Sequence, residues 1–149
     1  MNDQDAASAP DDFHGRLHHI TPDRLSDETA QTAGMHRRAA ISGGSVGSTK
    51  LWMGQTHVRP ATVSANHHHG EAETAIYVVA GHPVFVFLEG DHEKRLETDP
   101  GDFVFVPPWV PHREENPSPD TEAVVVIARS TQEAIVVNLP GLAPEGGLP

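Results

Sequence analysis

The chain is organised around residues 66–74, which read NHHHGEAET and stand directly before the apolar run AIYVV at residues 75–79. Because a β-strand places side chains i and i+2 on one face, roughly 7 Å apart along the chain, His67 and His69 are predicted to point the same way and His68 the opposite way. Two imidazoles on one side, followed by a carboxylate, are groups that bind a divalent metal ion. A solvated loop or a purification tag is the alternative, but the stretch is internal and flanked by strand-like sequence.

The bulk composition limits what kind of protein this is. A chain of 149 residues favours one domain, and the absence of cysteine means that any metal is held by His, Asp, Glu or backbone oxygen. The formal charge of -11 argues against nucleic acid or an anionic membrane as the main partner. No apolar run reaches the roughly 18 residues of a membrane span, and no signal peptide opens the chain. We therefore expect a cytoplasmic, bacterial-style enzyme or binding protein.

Short apolar runs separated by 13 glycines and 13 prolines predict an all-β chain with many turns. The strands are expected at residues 39–42, 51–58, 74–79, 84–88, 94–98, 103–106, 112–116, 123–129 and 133–138. Ser26, followed by acidic residues, predicts the start of a short helix over residues 27–33, and residues 43–48 are expected to be a flexible connection. The predicted organisation is a tail and short helix at 1–35, a β-barrel at 36–140 and a tail at 141–149, with an acidic, loosely attached segment over residues 1–16.

A second chemically rich segment follows, from Gly101 to Asn116. With residues 66–81 it resembles the two sequence motifs of the cupin superfamily, and the likeness covers roughly residues 51–138. The first motif reads Gly, five residues, His-x-His, three or four residues, Glu, six residues, Gly; His67, His69, Glu73 and Gly81 fill it. The second reads Gly, five residues, Pro-x-Gly, two residues, His, three residues, Asn, and it is filled by Gly101, Pro107, His112 and Asn116. The chain resembles RmlC-like single-domain bacterial cupins, which have a type-2 cupin domain.

The chain departs from these motifs at three places. Ala61 stands where the first Gly is usual, and Trp109 replaces the Gly of Pro-x-Gly. Seven residues rather than six separate Glu73 from Gly81. The extra residue implies a bulge, or it implies that Thr74 faces the metal in place of Glu73.

The resemblance implies a double-stranded β-helix, a jelly-roll cupin barrel, with a metal inside it. It also implies that the ligands are His67, His69, Glu73 and His112. From the residues alone, imidazoles and a carboxylate suit one divalent transition metal such as Zn, Fe, Mn or Ni, with open positions for water or substrate. Glu71 is the reserve carboxylate, and His68 is an alternative fourth ligand.

Other residues near these motifs have two interpretations each. Tyr77 is a candidate catalytic residue alongside Glu73, although core packing also explains it. Trp109 either gates the barrel or caps it, and His57 either enters the barrel or is satisfied elsewhere. Arg59 and Arg113 are candidates to meet an anionic substrate, with a surface role as the alternative. The phenylalanines are expected in the core or a subunit interface; they are Phe85, Phe87, Phe103 and Phe105.

The motifs predict a site and not a reaction. The first hypothesis is a metal-dependent enzyme that acts on a small polar or aromatic metabolite, of the isomerase, cyclase, lyase or dioxygenase type. The alternative is a non-catalytic cupin that binds or senses a metabolite. A homodimer is expected, since the strand at residues 84–88 is apolar on both faces.

Overall fold

The computed structural model describes residues 14–143, and these form eleven β-strands with almost no helix. Of the predicted tail and helix segment at 1–35 and the predicted tail at 141–149, residues 1–13 and 144–149 lie outside the described residues. The strands are β1 Met35–Ile41, β2 Trp52–Val58, β3 Thr62–Val63, β4 His67–His68, β5 Thr74–Ala80, β6 Val84–Glu89, β7 His92–Glu97, β8 Phe103–Val106, β9 Arg113–Asn116, β10 Ala123–Arg129 and β11 Val137–Asn138. One four-residue helix, α1, covers Gly43–Val46. The domain limits expected at residues 36 and 140 stay a prediction.

All strand pairs are antiparallel, and most strands pair with partners that are distant in sequence. One sheet has the order β1-β2-β10-β5-β8, a second has the order β3-β9-β6-β7, and β11 pairs with β4 in a small third sheet. Strand β10 lies between β2 and β5, so the chain returns across the sheet late in the sequence. This crossover order confirms the prediction of an all-β jelly roll.

The hydrophobic core lies between the two large sheets. Along β5 burial alternates, so that Thr74, Ile76 and Val78 point inward while Tyr77 and Val79 are exposed. Ile76 and Val78 pack with side chains of both sheets, in a cluster completed by Phe85, Val106 and Val125. Burying each such side chain stabilises the fold by about 1.5–3 kcal/mol. The strand predicted over residues 84–88 is buried at Val84, Phe85 and Val86.

The segment before β1 differs from its prediction. Residues 27–33 are not helical; a single 3-10 turn occurs earlier, at Pro22–Arg24. The reason is that the backbone of Ser26 pairs with Ala39 of β1, with N···O distances of 2.9 and 2.8 Å in the two directions. These bonds hold the start of the segment in an extended conformation. In contrast, the connection expected to be flexible contains α1, which Ser42 caps by accepting a hydrogen bond from the Ser45 amide.

Two departures from the glycine pattern carry backbone strain. Within residues 14–143, Ala61 and Trp109 are the only residues other than glycine with positive φ, at 54° and 67°. These are the two positions where the resemblance leads one to expect glycine. The left-handed conformation is thus retained although the residue that favours it is not.

Two predicted strands differ from the observed ones by four residues at their starting point, and the others differ less. The first begins earlier than residue 39, at Met35, and the last is reduced to Val137–Asn138. Among the described residues, no helix has the length and apolar character needed to cross a membrane.

Candidate metal centre

Three histidines from two separate parts of the chain come together inside the barrel. His67 belongs to β4, His69 follows that strand, and His112 stands just before β9. The backbones of His67 and His112 pair directly, with both N···O distances at 2.9 Å. The potential ligand atoms of the three side chains all lie within 4.8 Å of one another. The predicted convergence of His67 and His69 with the distant His112 is therefore what the structure shows.

The hydrogen bonds of these histidines fix which ring nitrogen is available. The Nδ1 of His67 lies 2.7 Å from the Ala65 carbonyl oxygen, that of His69 lies 2.9 Å from Ile135 O, and that of His112 lies 2.9 Å from Val110 O. Since a carbonyl oxygen only accepts hydrogen bonds, each Nδ1 carries the proton. The lone pair of each Nε2 is left free, which is the tautomer that binds a metal.

The surroundings keep at least two of these rings neutral. Burial lowers the pKa of His69 to about 4, and the nearby His112 and His67 act in the same direction. Burial also lowers the pKa of His112, against the opposing charge of Glu114. A neutral imidazole has no proton to lose when a metal binds, so near pH 7 these rings are ready ligands.

One buried atom provides a direct test of whether a metal fits. The Nε2 of His112 is buried and has no hydrogen-bond partner among the described residues. Leaving a buried polar atom unpaired costs about 1–3 kcal/mol. A cation held between the three Nε2 atoms would satisfy it, so the residues present fit a divalent metal.

The carboxylate of the predicted ligand set lies elsewhere. Glu73 is exposed, as is the reserve carboxylate Glu71, and neither belongs to the histidine group. Thr74 is buried and lines the same cavity as His67 and His69. The structure thus favours the alternative in which Thr74 faces the site. A ligand role for Glu73 stays a prediction that requires its side chain to turn inward.

The other aromatic and histidine candidates lie outside the histidine group. Tyr77 is on the outer face of β5, where its ring packs against Phe103. His68 is buried beside Trp109 and accepts a hydrogen bond from the Gly70 amide. The Nδ1 of His57 lies 2.7 Å from a carboxylate oxygen of Glu122.

The remaining candidates have structural or surface positions. Arg59 is exposed, and Arg113 is paired with Glu93 and Glu115. Trp109 is largely exposed, as are Phe103 and Phe105, whereas Phe85 is in the core and Phe87 is half-buried. Asn116 is buried, and its amide nitrogen lies within 3.1 Å of three carbonyl oxygens, so it ties together the loops at one end of the barrel.

The structure also shows functional candidates that the sequence did not predict. A cavity of about 450 Å³ extends from His67 and His69 and is lined by Arg37, Glu114 and Arg129. Glu114 follows His112 by two residues and therefore faces the same side of its strand, a signal that the sequence did contain. The two arginines come from β1 and β10, whose register against β2 no sequence pattern indicates.

Together, the fold and this site define a small antiparallel β-barrel protein with a three-histidine group that can hold a metal ion inside the barrel. A family model described as Cupin domain matches residues 54–128, which are 75 of the 149 residues. The chain belongs to the cupin family. A comparison with curated proteins finds no match.

Several solved structures share the fold at low sequence identity. The S161A mutant of Bacillus subtilis oxalate decarboxylase is 22% identical, with a TM-score of 0.63, covering 75% of this chain and 30% of that one. Oxalate oxidase in complex with glycolate is 18% identical, with a TM-score of 0.61, covering 77% of this chain and 60% of that one. Peruvianin-I, a cysteine peptidase from Thevetia peruviana latex, is 15% identical, with a TM-score of 0.66, covering 92% of this chain and 82% of that one. This chain spans less than a third of the decarboxylase, so these likenesses establish the fold alone.

Proposed function

We propose that this protein is a metal-dependent enzyme that acts on a small polar or aromatic metabolite within the barrel. The observation that carries the proposal is the convergence of three imidazoles whose Nδ1 atoms are all bonded to carbonyl oxygens. With each Nδ1 bonded in this way, the three Nε2 atoms remain as metal ligands beside a cavity of about 450 Å³, a volume that suits a small ligand. The reaction type belongs to the isomerase, cyclase, lyase or dioxygenase group.

One divalent transition metal per chain would be held by His67, His69 and His112, with Zn, Fe, Mn and Ni as candidates. Mn has the additional support that Bacillus subtilis oxalate decarboxylase, which shares the fold, has Mn(II) centres. When bound, the metal supplies Lewis-acid polarisation of a substrate oxygen, or oxygen activation if it is iron. Three protein ligands leave open positions, which is the mark of a catalytic rather than a structural site.

The side chains around the cavity would bind the substrate, exclude water and transfer a proton. The apolar side chains of Trp52, Ile127 and Ile135 line the cavity and exclude water from part of its wall. Glu114 places a carboxylate in the same cavity, within electrostatic range of His69 and His112. It is therefore the group positioned to accept or return a proton of a bound substrate.

The experiment that tests this proposal is elemental analysis of protein purified without chelator or affinity tag. We expect about one transition metal per chain, and the variant His112→Ala should lower the metal affinity at least about tenfold. His92→Ala is the matched control, because His92 is exposed on β7, away from the histidine group. Wild-type metal content in His112→Ala would refute the site.

Oxygen-uptake and substrate-depletion assays on the loaded protein then separate the two function classes. Turnover of a substrate would support the proposed enzyme function. A tightly retained metabolite without turnover would instead identify a non-catalytic metabolite-binding cupin.

We also propose a homodimer, in which a second copy covers the exposed apolar face formed by β5 and β8. Tyr77, Val79, Phe103 and Phe105 present this face, and Phe103 is 79% exposed in the single chain. Exposed apolar patches of this kind mark interaction surfaces. Light scattering that gives the mass of one 16.0 kDa chain would contradict the dimer. The cytoplasmic location expected from the sequence stays a prediction.

A further inference from the structure

Two arginine side chains face the cavity beside the three histidines. Arg37 lies on β1 and Arg129 at the end of β10, and both strands pair with β2. Arg37 stands opposite the buried Thr56, and Arg129 stands opposite the buried Trp52. Because directly opposed residues of antiparallel strands share a face, both arginines point into the barrel.

Arg129 is held in a fixed orientation. Its guanidinium carbon lies 4.0 Å from the centre of the Trp52 ring, a cation–π contact. Its Nε donates to Thr131 O at 3.0 Å and its Nη2 donates to Gln132 O at 2.8 Å. These two bonds occupy one lateral edge of the guanidinium. No other described residue accepts a hydrogen bond from the terminal edge, which has one N–H from each Nη atom and presents two parallel donors.

Within residues 14–143, neither guanidinium is paired with a carboxylate. Nη1 of Arg37 donates to the Thr32 hydroxyl at 2.8 Å, whereas the arginines that meet acids in this range are Arg38, Arg95 and Arg113. Burial, and then the positive charge of Arg37, lower the pKa of Arg129 to about 10. The two cations therefore repel each other in a half-buried space, and a bound anion would relieve that repulsion.

The other titratable groups that line the cavity do not supply this anion. His67 and His69 belong to the histidine group, and Glu114 contributes one negative charge, which acts on His69 and His112. Two arginines against one carboxylate leave the cavity with an excess of positive charge. This excess stands out in a chain whose formal charge is -11.

We propose that Arg37 and Arg129 form a carboxylate-binding subsite beside the three-histidine group, and that the substrate is a small carboxylate. This inference rests on the proposed function, whose substrate class it names. A carboxylate matches the two parallel N–H donors of a guanidinium edge, as in bidentate arginine–carboxylate pairs. The fixed Arg129 provides the anchor and Arg37 adds a second charge.

The test is calorimetric titration of the full-length, metal-loaded protein with a panel of small carboxylates: glycolate, pyruvate, malonate, succinate and benzoate. We expect at least one to bind, with an affinity that falls at least about tenfold in both Arg37→Gln and Arg129→Gln. Arg38→Gln is the matched control, because Arg38 is the next residue on β1, on the opposite face, where it meets Asp27. The neutral amide of the carboxylate that binds should fail to bind.

Arg129→Lys covers the case in which Arg129→Gln does not fold, since it retains the charge and the aliphatic stem but not the paired donors. It should bind the carboxylate more weakly than wild type while its thermal midpoint stays near the wild-type value. Three outcomes overturn the subsite: no carboxylate of the panel binds, binding is indifferent to both arginines, or inorganic phosphate binds more tightly than every carboxylate.

Metal content, measured on the same samples, separates this inference from the proposed function. Both arginine variants should retain wild-type metal content, because neither side chain belongs to the histidine group. Carboxylate binding that depends on the arginines in a protein that takes up no metal would support the subsite and refute the metal enzyme. Full metal content together with carboxylate binding that does not depend on the arginines would support the metal site and refute the subsite.

Discussion

The low pKa of His69 predicts that the metal-free protein loses stability in mild acid, and that one substitution removes much of this loss. The pKa of His69 falls from 6.5 to about 4, chiefly because of burial. Between these two values the unfolded chain binds a proton that the folded chain does not, so stability rises with pH across this window. The difference of about 2.5 units, at 1.36 kcal/mol each, is worth about 3 kcal/mol.

The stability contributed by a neutral His69 is fully present above pH 6.5 and is lost as the pH falls through about 4, where both states carry the proton. The variant His69→Gln has no such proton. Its free energy of unfolding should therefore fall by about 3 kcal/mol less than that of wild type between pH 7 and pH 4. Carboxylates such as Glu93 and Glu115 titrate in both proteins, so the difference between the two curves reports His69 together with its coupling to His112.

The assay is urea unfolding in the presence of a chelator, followed by the fluorescence of Trp52 and Trp109, at half-unit steps from pH 4 to pH 7.5. His92→Gln is the control, because it removes an imidazole that is exposed on β7, and its curve should parallel that of wild type. If His69→Gln and wild type lose stability in parallel, burial of His69 does not control its ionisation and the reasoning fails.

Two further predictions concern the scaffold. Ala61→Gly should stabilise the protein by about 0.5–1 kcal/mol, because relief of the left-handed backbone strain outweighs the added freedom of the unfolded chain. The thermal midpoint should rise by about 2–4 °C, and no rise would contradict the prediction. Asn116→Ala should lower the free energy of unfolding in urea by about 3 kcal/mol, since it removes the amide nitrogen that Val58 O, Arg59 O and Thr121 O share. A loss below about 1 kcal/mol would show that water replaces these bonds.

The histidine group was predictable from the sequence, whereas the carboxylate was not. His67 and His69 belong to one extended piece of chain, so their alternation can be counted, and the spacing around His112 matches a second motif. Between His69 and Thr74 the chain turns, and Gly70 takes a φ of 57°. A turn resets the alternation of side chains, so counting onward from His69 does not determine whether Glu73 or Thr74 faces inward.

The N-terminal segment and the arginine pair show a second limit of sequence reasoning. Ser26 and the acids after it favour a helix locally, but the pairing of Ser26 with Ala39 holds the backbone extended. Such a contact overrides a weak local preference. Arg37 and Arg129 are 92 residues apart in the chain, and only the pairing of both their strands with β2 brings them to one cavity.

The unfavourable features of this protein are concentrated at one place. Where arginines meet acids, as in the network of Arg95 and Arg113 with Glu115 and Glu93, charges are balanced. At the histidine cavity the Nε2 atom of His112 is buried without a partner among residues 14–143, His69 is held neutral against its ordinary pKa, and two guanidinium groups share a half-buried space. Proteins retain such local conflicts mainly where a ligand resolves them. A metal ion would satisfy the Nε2 lone pairs and a carboxylate would neutralise the arginines. Binding of the metal ion and the carboxylate together would therefore remove all of these conflicts.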